Sequence, residues 1–196
     1  MERTAPRAAT PMSIALEVGA RRIFAAVKAV QALNPVVLID GRSGAGKSSL
    51  AQALIASWPL PGRVQMVALD SLYPGWDGLA EGRERVIDQV LVPHAQGQIG
   101  LWQRYDWELG EYAETEAVDP SLALIVEGSG LLTPVSARLG DVRVWLESPA
   151  PVRKHRALTR DGDTYRPHWD RWAAQEDAHI AEHAPARCAD MALRIP

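Results

Sequence analysis

Residues 36–48 read Val36-Val37-Leu38-Ile39-Asp40-Gly41-Arg42-Ser43-Gly44-Ala45-Gly46-Lys47-Ser48. Four apolar, mostly β-branched residues in a row have the character of a strand buried on both faces, as a parallel sheet requires. Gly41 to Ser48 then satisfies G-x-x-x-x-G-K-[ST], and a helical segment over residues 47–58 follows at once. Glycines let such a turn wrap until successive backbone N–H groups point inward, and the helix N-terminus adds roughly half a positive charge. The spacing therefore predicts a polyphosphate cradle built from Gly41, Ser43, Gly44, Ala45, Gly46, Lys47, Ser48 and Ser49. In it Lys47 reaches the terminal phosphates of ATP and the Ser48 hydroxyl faces Mg2+. A chance glycine-rich turn is the competing reading. The chain carries three lysines (Lys28, Lys47 and Lys154) against eighteen arginines, so a lysine at the one position that the motif demands argues against accident.

Working outward, strands and helices alternate. Residues 14–33 place Leu16, Ile23, Phe24, Val27 and Val30 at helical spacing and stop at Asn34-Pro35. Residues 64–69 and 122–126 read as strands ending in Asp70 and Glu127, residues 141–146 and 191–195 as further strands, and residues 81–93, 151–160 and 168–183 as helices. Residues 99–112 are aromatic and alternating (Leu101, Trp102, Tyr105, Trp107), which predicts an extended excursion or hairpin outside the main sheet. The expectation is an α/β, three-layer P-loop NTPase fold with a five-stranded parallel sheet flanked by helices, a small substrate-side hairpin and a helical lid. At 196 residues the chain supports one domain, in which residues 1–12 are a loose tail, 71–118 the substrate-side excursion and 160–170 the lid.

The net charge of -3 and the lack of a Lys/Arg-rich run argue against nucleic acid as a partner. Cys188 is the only cysteine, so no intrachain disulfide forms and a cytoplasmic location is expected. Its most economical role is as a small buried apolar residue. Apolar runs are strand-sized, which points away from a membrane, and the basic start lacks the apolar segment of a signal peptide. Whether the chain forms a homo-oligomer is open.

Ligands of open α/β sheets bind beyond the carboxyl ends of the strands, so acids closing apolar strands are the natural catalytic candidates. Asp70 is assigned as the base that accepts the acceptor's hydroxyl proton, and Glu127 to the metal environment with Ser48. A helix N-cap or a solvated loop acid is the alternative for each. Arg153, Arg156 and Arg160 share one helix face, and Arg166 follows in a turn-rich segment. Such a cluster suits stabilisation of a triphosphate, with Arg160 and Arg166 favoured over Arg153, although a solvated basic face has the same pattern. His179 and His183, with Glu176 and Asp177 nearby, lack a third metal ligand and read as a solvated helix face. Trp169 and Trp172 read as core.

Several short motifs carry a family resemblance over residues 36–184. Asp70-Ser71-Leu72-Tyr73, Arg104-Tyr105-Asp106-Trp107, Ile125-Val126-Glu127-Gly128 and the spacing of Arg153, Arg156, Arg160 and Asp161 are similar to motifs of the uridine kinase and phosphoribulokinase group of P-loop kinases. The resemblance implies Asp70 as general base, Lys47 and Arg160 in catalysis, Arg156 and Arg166 near the nucleotide, and Tyr73, Arg104 and Tyr105 on the acceptor side. It implies ATP and Mg2+ as cofactors and a small-molecule hydroxyl acceptor, with a nucleoside as one case. Residues 109–114, where nucleoside-specific members often carry His and Arg, have the acids Glu111 and Glu114 as their charged residues. Neither an N-K-x-D nor a D-x-x-G motif occurs, which argues against a GTPase. An NTP-hydrolysing or nucleotide-binding regulatory protein without an acceptor is the alternative function.

Overall fold

The computed structural model describes residues 10–196. Most of the expected tail, residues 1–9, lies outside the described residues, but its last residues are helical. Helix α1 (Pro11–Val30) starts earlier than the apolar periodicity implies, because Thr10 and Ser13 form a reciprocal capping box and Pro11 tolerates the first turn. Strand β1 (Val36–Gly41), the phosphate loop and helix α2 (Lys47–Ala56) follow as expected. Gly46 caps α2 at φ 104, a conformation that a side chain resists.

The main sheet has the order β2-β5-β1-β6-β7, formed by β2 (Val64–Ala68), β5 (Ala123–Gly128), β1, β6 (Val142–Glu147) and β7 (Met191–Arg194). Every pairing is parallel. Because successive side chains alternate faces, β1 feeds two cores: Val37 and Ile39 pack with Ile23 of α1 and Leu50 of α2, whereas Val36 and Leu38 pack with the opposite layer. That opposite layer includes α3 (Leu79–Val86), α5 (Ala150–Tyr165) and α6 (Trp169–His183).

Helix α3 passes through a π turn at Ile87–Leu91 into α4 (Val92–Ala95). The wider turn sits just before Pro93, which has no N–H for the ladder and crowds the preceding turn. Strands β3 (Gly100–Asp106) and β4 (Glu111–Val118) form a separate antiparallel hairpin with an irregularity between Gln103 and Tyr105.

Three expectations need correcting. Asp70 does not close β2 but sits in a 3-10 turn at Leu69–Ser71, whereas Glu127 does stand at the end of β5, followed there by Gly128 alone. Glu176 and His179 are not solvated: they are 3% and 4% exposed, because α6 lays the Trp172 stripe and these two residues against the end of β1. Cys188, in α7 (Pro185–Cys188), is half-buried. Among the described residues no helix is long and apolar enough to cross a membrane.

Candidate active site

Beyond the carboxyl ends of β1, β2 and β5 lies a cleft of about 570 Å³. Its floor is the phosphate loop, contributing Ser43, Gly44, Lys47 and Ser48. Asp70, Ser71, Tyr73 and Glu127 enter from the strand ends, Arg104, Tyr105 and Trp107 from the hairpin, and Arg160, Asp161, Thr164 and Tyr165 from the lid. The sheet explains this convergence: β2 and β5 are neighbours, as are β5 and β1, so residues at their ends fall side by side despite their separation in sequence.

Gly44 has φ +77, and a side chain there would collide with the Arg153 carbonyl, its Cβ meeting that oxygen at 2.2 Å. Ala45 is buried in the core beside α2, and Gly41 ends β1, where a Cβ would meet the Leu146 carbonyl at 2.5 Å. The loop thus folds only with these small residues. Lys47 is buried, and its Nζ donates to Ser129 Oγ at 3.2 Å and the Arg42 carbonyl at 3.4 Å. Ser129 in turn donates to the Gly41 carbonyl. Ser48 Oγ donates to Glu127 Oε1 at 2.7 Å. Burial raises the Glu127 carboxyl pKa above its ordinary value, opposed by Lys47 and reinforced by Asp70. A hydroxyl and a carboxylate in contact are the hard-oxygen donors that suit Mg2+, an ion usually held by few protein oxygens and otherwise by phosphate and water.

Tyr73 lines the cleft, yet its hydroxyl is committed to the Ser129 carbonyl at 2.7 Å. Burial raises its pKa well above the ordinary value, so it stays protonated. Trp107 donates its indole N–H to the Asp70 carbonyl at 2.7 Å, fixing the hairpin to the turn that carries the proposed base. Arg104 donates to Glu114 at 2.5 Å and to Asp106 at 3.2 Å, so its charge is spent on its own hairpin. Trp76, from the loop after Tyr73, stacks on Tyr165 (ring centroids 5.1 Å apart) and His168 (4.5 Å), joining that loop to the end of α5 and the turn after it.

The arginine cluster is divided rather than shared. Arg160 faces the cleft, paired with Asp161. Arg156 holds the Ser148 hydroxyl at 3.2 Å and the Pro196 carbonyl, and borders a smaller cavity of about 200 Å³ with Met12, Gly46 and Ser49. Arg153 is turned to the back of the loop. Arg166 lies outside the cleft, near Asp163.

Three participants have no local motif. Asp40, fully buried, accepts from the backbone N–H groups of Gly41, Gly130 and Leu132. His179 stands 3.5 Å from it. Glu176 Oε1 accepts the Ser43 N–H at 2.6 Å while Oε2 accepts from Arg42 Nε at 3.0 Å. For Asp40 the sequence signal is an acid inside the apolar β1 run, since a charge there needs several buried partners.

No protein-family model and no curated protein matches the chain. Solved structures do. One, a candidate uridine kinase from Bacillus stearothermophilus, superposes with a TM-score of 0.64 at 20% identity, covering 90% of this chain and 99% of that one. Another, a candidate fructose transport system kinase from a Silicibacter species, gives a TM-score of 0.59 at 20% identity, covering 88% and 98%. The chain has the three-layer α/β fold of these two structures.

Proposed function

We propose that the protein is an ATP-dependent small-molecule kinase, transferring the terminal phosphoryl group of ATP to the hydroxyl of an uncharged, ring-bearing acceptor. One observation carries this reading: Lys47, the Ser48–Glu127 pair and Asp70 line a single cleft whose opposite wall is aromatic. A nucleotide-hydrolysing switch has no use for that wall. Mg2+, held by Ser48 and Glu127, would offset the charge of the polyphosphate. The loop amides other than those of Ser43 and Ala45, which are taken by Glu176 and the Arg42 carbonyl, bind the phosphates together with Lys47, and Arg160 faces the charge that develops on transfer. Asp70 accepts the acceptor's hydroxyl proton and orients its oxygen. Tyr165 and Thr164 close the cleft against water.

The acceptor class follows from charge. Arg104 is the cation of the hairpin wall, and two carboxylates neutralise it, so a phosphorylated or carboxylated acceptor lacks a free counter-charge there. Trp76, Tyr105, Trp107 and Trp172 instead offer ring faces and edges. A nucleoside is one alcohol of this class, and the resemblance to a candidate uridine kinase supports it. The test is an acceptor screen following ADP release with Mg-ATP. Nucleosides and other neutral ring-bearing alcohols are expected to stimulate turnover, and Asp70→Asn to reduce it by roughly 10²-fold while retaining nucleotide binding. Turnover indifferent to every alcohol offered sinks the kinase reading.

A further inference from the structure

Behind the phosphate loop lies a second cavity, of about 850 Å³, which shares no lining residue with the cleft. It opens between the ends of β6 and β7, the start of α5 and the α6–α7 corner. Its walls are largely apolar, from Trp145, Pro149, Ile180, Pro185 and Ile195. Its charged lining is one-sided: Arg42, Arg153, Arg187 and Arg194 against Glu147. Glu147 lies 3.6 Å from Arg194, and Arg42 is held by Glu176 and Asp177.

Arg153 is different. It is 6% exposed, and its partners are two carbonyls, Ser148 O at 3.1 Å and Ser43 O at 3.2 Å. Among the described residues no carboxylate pairs with it. Taking a guanidinium out of water without a counter-charge is costly, and carbonyl dipoles recover only part of that cost. Burial and the neighbouring charge of Arg42 lower its pKa from the ordinary arginine value, opposed by the charges of Glu176 and Asp177.

We infer that this rear cavity is a ligand site for a small anion with an apolar body, its carboxylate, sulfonate or phosphate meeting Arg153, and that its occupancy is linked to nucleotide binding through the bond from Arg153 to Ser43. The volume is that of an ordinary small-molecule site. The linkage is short. Arg153 Nη1 holds the carbonyl of Ser43, whose N–H is held by Glu176, and the Arg153 carbonyl packs directly under Gly44. An anion that draws the guanidinium off Ser43 loosens one of the two bonds that hold the Ser43 backbone. The coupling is reciprocal, so nucleotide must shift the anion's affinity by the same factor.

The probe is 8-anilinonaphthalene-1-sulfonate, an aromatic sulfonate that fluoresces on burial, with N-phenyl-1-naphthylamine as its uncharged counterpart. The full chain is expected to bind the sulfonate saturably and more tightly than the amine. Arg153→Met should weaken it by about tenfold, the loss of one charge-assisted contact. Ala186→Trp fills the cavity from an exposed helix position, so it tests the site even if Arg153→Met fails to fold, and should abolish binding. Saturating Mg-ATP should leave the sulfonate bound with a Kd altered by roughly twofold or more. Equal affinity in the wild type and Ala186→Trp, equal affinity for the amine, complete displacement by Mg-ATP, or a Kd unmoved by it each overturns the proposal.

Discussion

Glu176 Oε1 accepts the backbone N–H of Ser43 at 2.6 Å, so a carboxylate on α6 holds the glycine-rich loop after β1. The same helix packs Trp172 against Tyr73, with ring centroids 4.8 Å apart, and Gln175 donates to the Trp76 carbonyl. One rigid element therefore touches both halves of the cleft.

Removing that carboxylate should loosen the loop before it unfolds the chain. Taking one partner from a buried pair typically costs about 3–5 kcal/mol. Arg42 keeps Asp177 at 2.6 Å, so Glu176→Ala should sit near the lower end, roughly 3 kcal/mol, or a Tm drop of about 6–12 °C for a domain of this size. Glu176→Gln, which keeps an acceptor for the Ser43 N–H, should lose less than half as much. Thermal melts of both variants check the ranking, and calorimetry with Mg-ATP should show weaker binding in the order wild type, Gln, Ala.

Gly44→Ala should be more damaging to binding than its size implies. The position has φ +77 and its Cβ would lie 2.2 Å from the Arg153 carbonyl. A left-handed conformation alone costs a non-glycine residue roughly 1–2 kcal/mol, and the collision is with backbone, which cannot swing aside. The loop and the start of α5 must separate. Nucleotide affinity is expected to fall by more than about tenfold, read by calorimetry, with a lowered Tm.

How much of this was legible follows from sequence distance. The β1–loop–α2 unit is local, and its glycines, lysine and apolar run announce it without help from the rest of the chain. The pairing of Ser48 with Glu127 was readable one step further, because a parallel sheet sets strand ends beside one another. Glu176 was not: its partners lie 133 and 134 positions away, and an acid near His179, His183 and Asp177 has the composition of a solvated face. The usable signal is angular. Trp172, Glu176, His179 and His183 fall at helical spacing on one stripe, and the buried Trp172 marks that stripe as inward. The lid arginines misled for a related reason. Arg153, Arg156 and Arg160 share a face, but α5 crosses the loop so closely that its two ends look into different cavities.

Protonation of Glu127 should leave a signature. Burial raises its pKa in the folded state, so the native protein holds this proton more tightly than the unfolded chain. Stability contributed by the group is therefore present at low pH and lost as pH rises from the ordinary glutamate range through the raised value. The Tm of the wild type relative to Glu127→Gln should decline over that interval in the absence of nucleotide. Mg-ATP should act in the opposite sense, since its site needs the ionised carboxylate: affinity of the wild type should weaken on acidification earlier than an ordinary glutamate would dictate, with a flatter profile for Glu127→Gln.

Trp76 separates acceptor binding from nucleotide binding. Its ring stacks on His168 at an interplanar angle of 12° and on Tyr165 at 19°, and tilts against Trp107 at a centroid distance of 4.8 Å. Each such contact is worth about 0.5–1.5 kcal/mol beyond area burial, so the ring fastens its own loop to the end of α5 and also presents a surface to the cleft. None of its ring partners belongs to the phosphate loop. Trp76→Ala should therefore raise the acceptor KM by roughly tenfold or more, the equivalent of one or two aromatic contacts, with nucleotide Kd unchanged within about twofold. Trp76→Phe should recover most of the loss, because stacking needs a flat ring and not an indole N–H. Steady-state kinetics with the best acceptor from the screen, beside nucleotide calorimetry on the same proteins, measure the two halves. A parallel loss of both affinities would place Trp76 in the support of the whole cleft and remove the basis for assigning the aromatic wall to the acceptor.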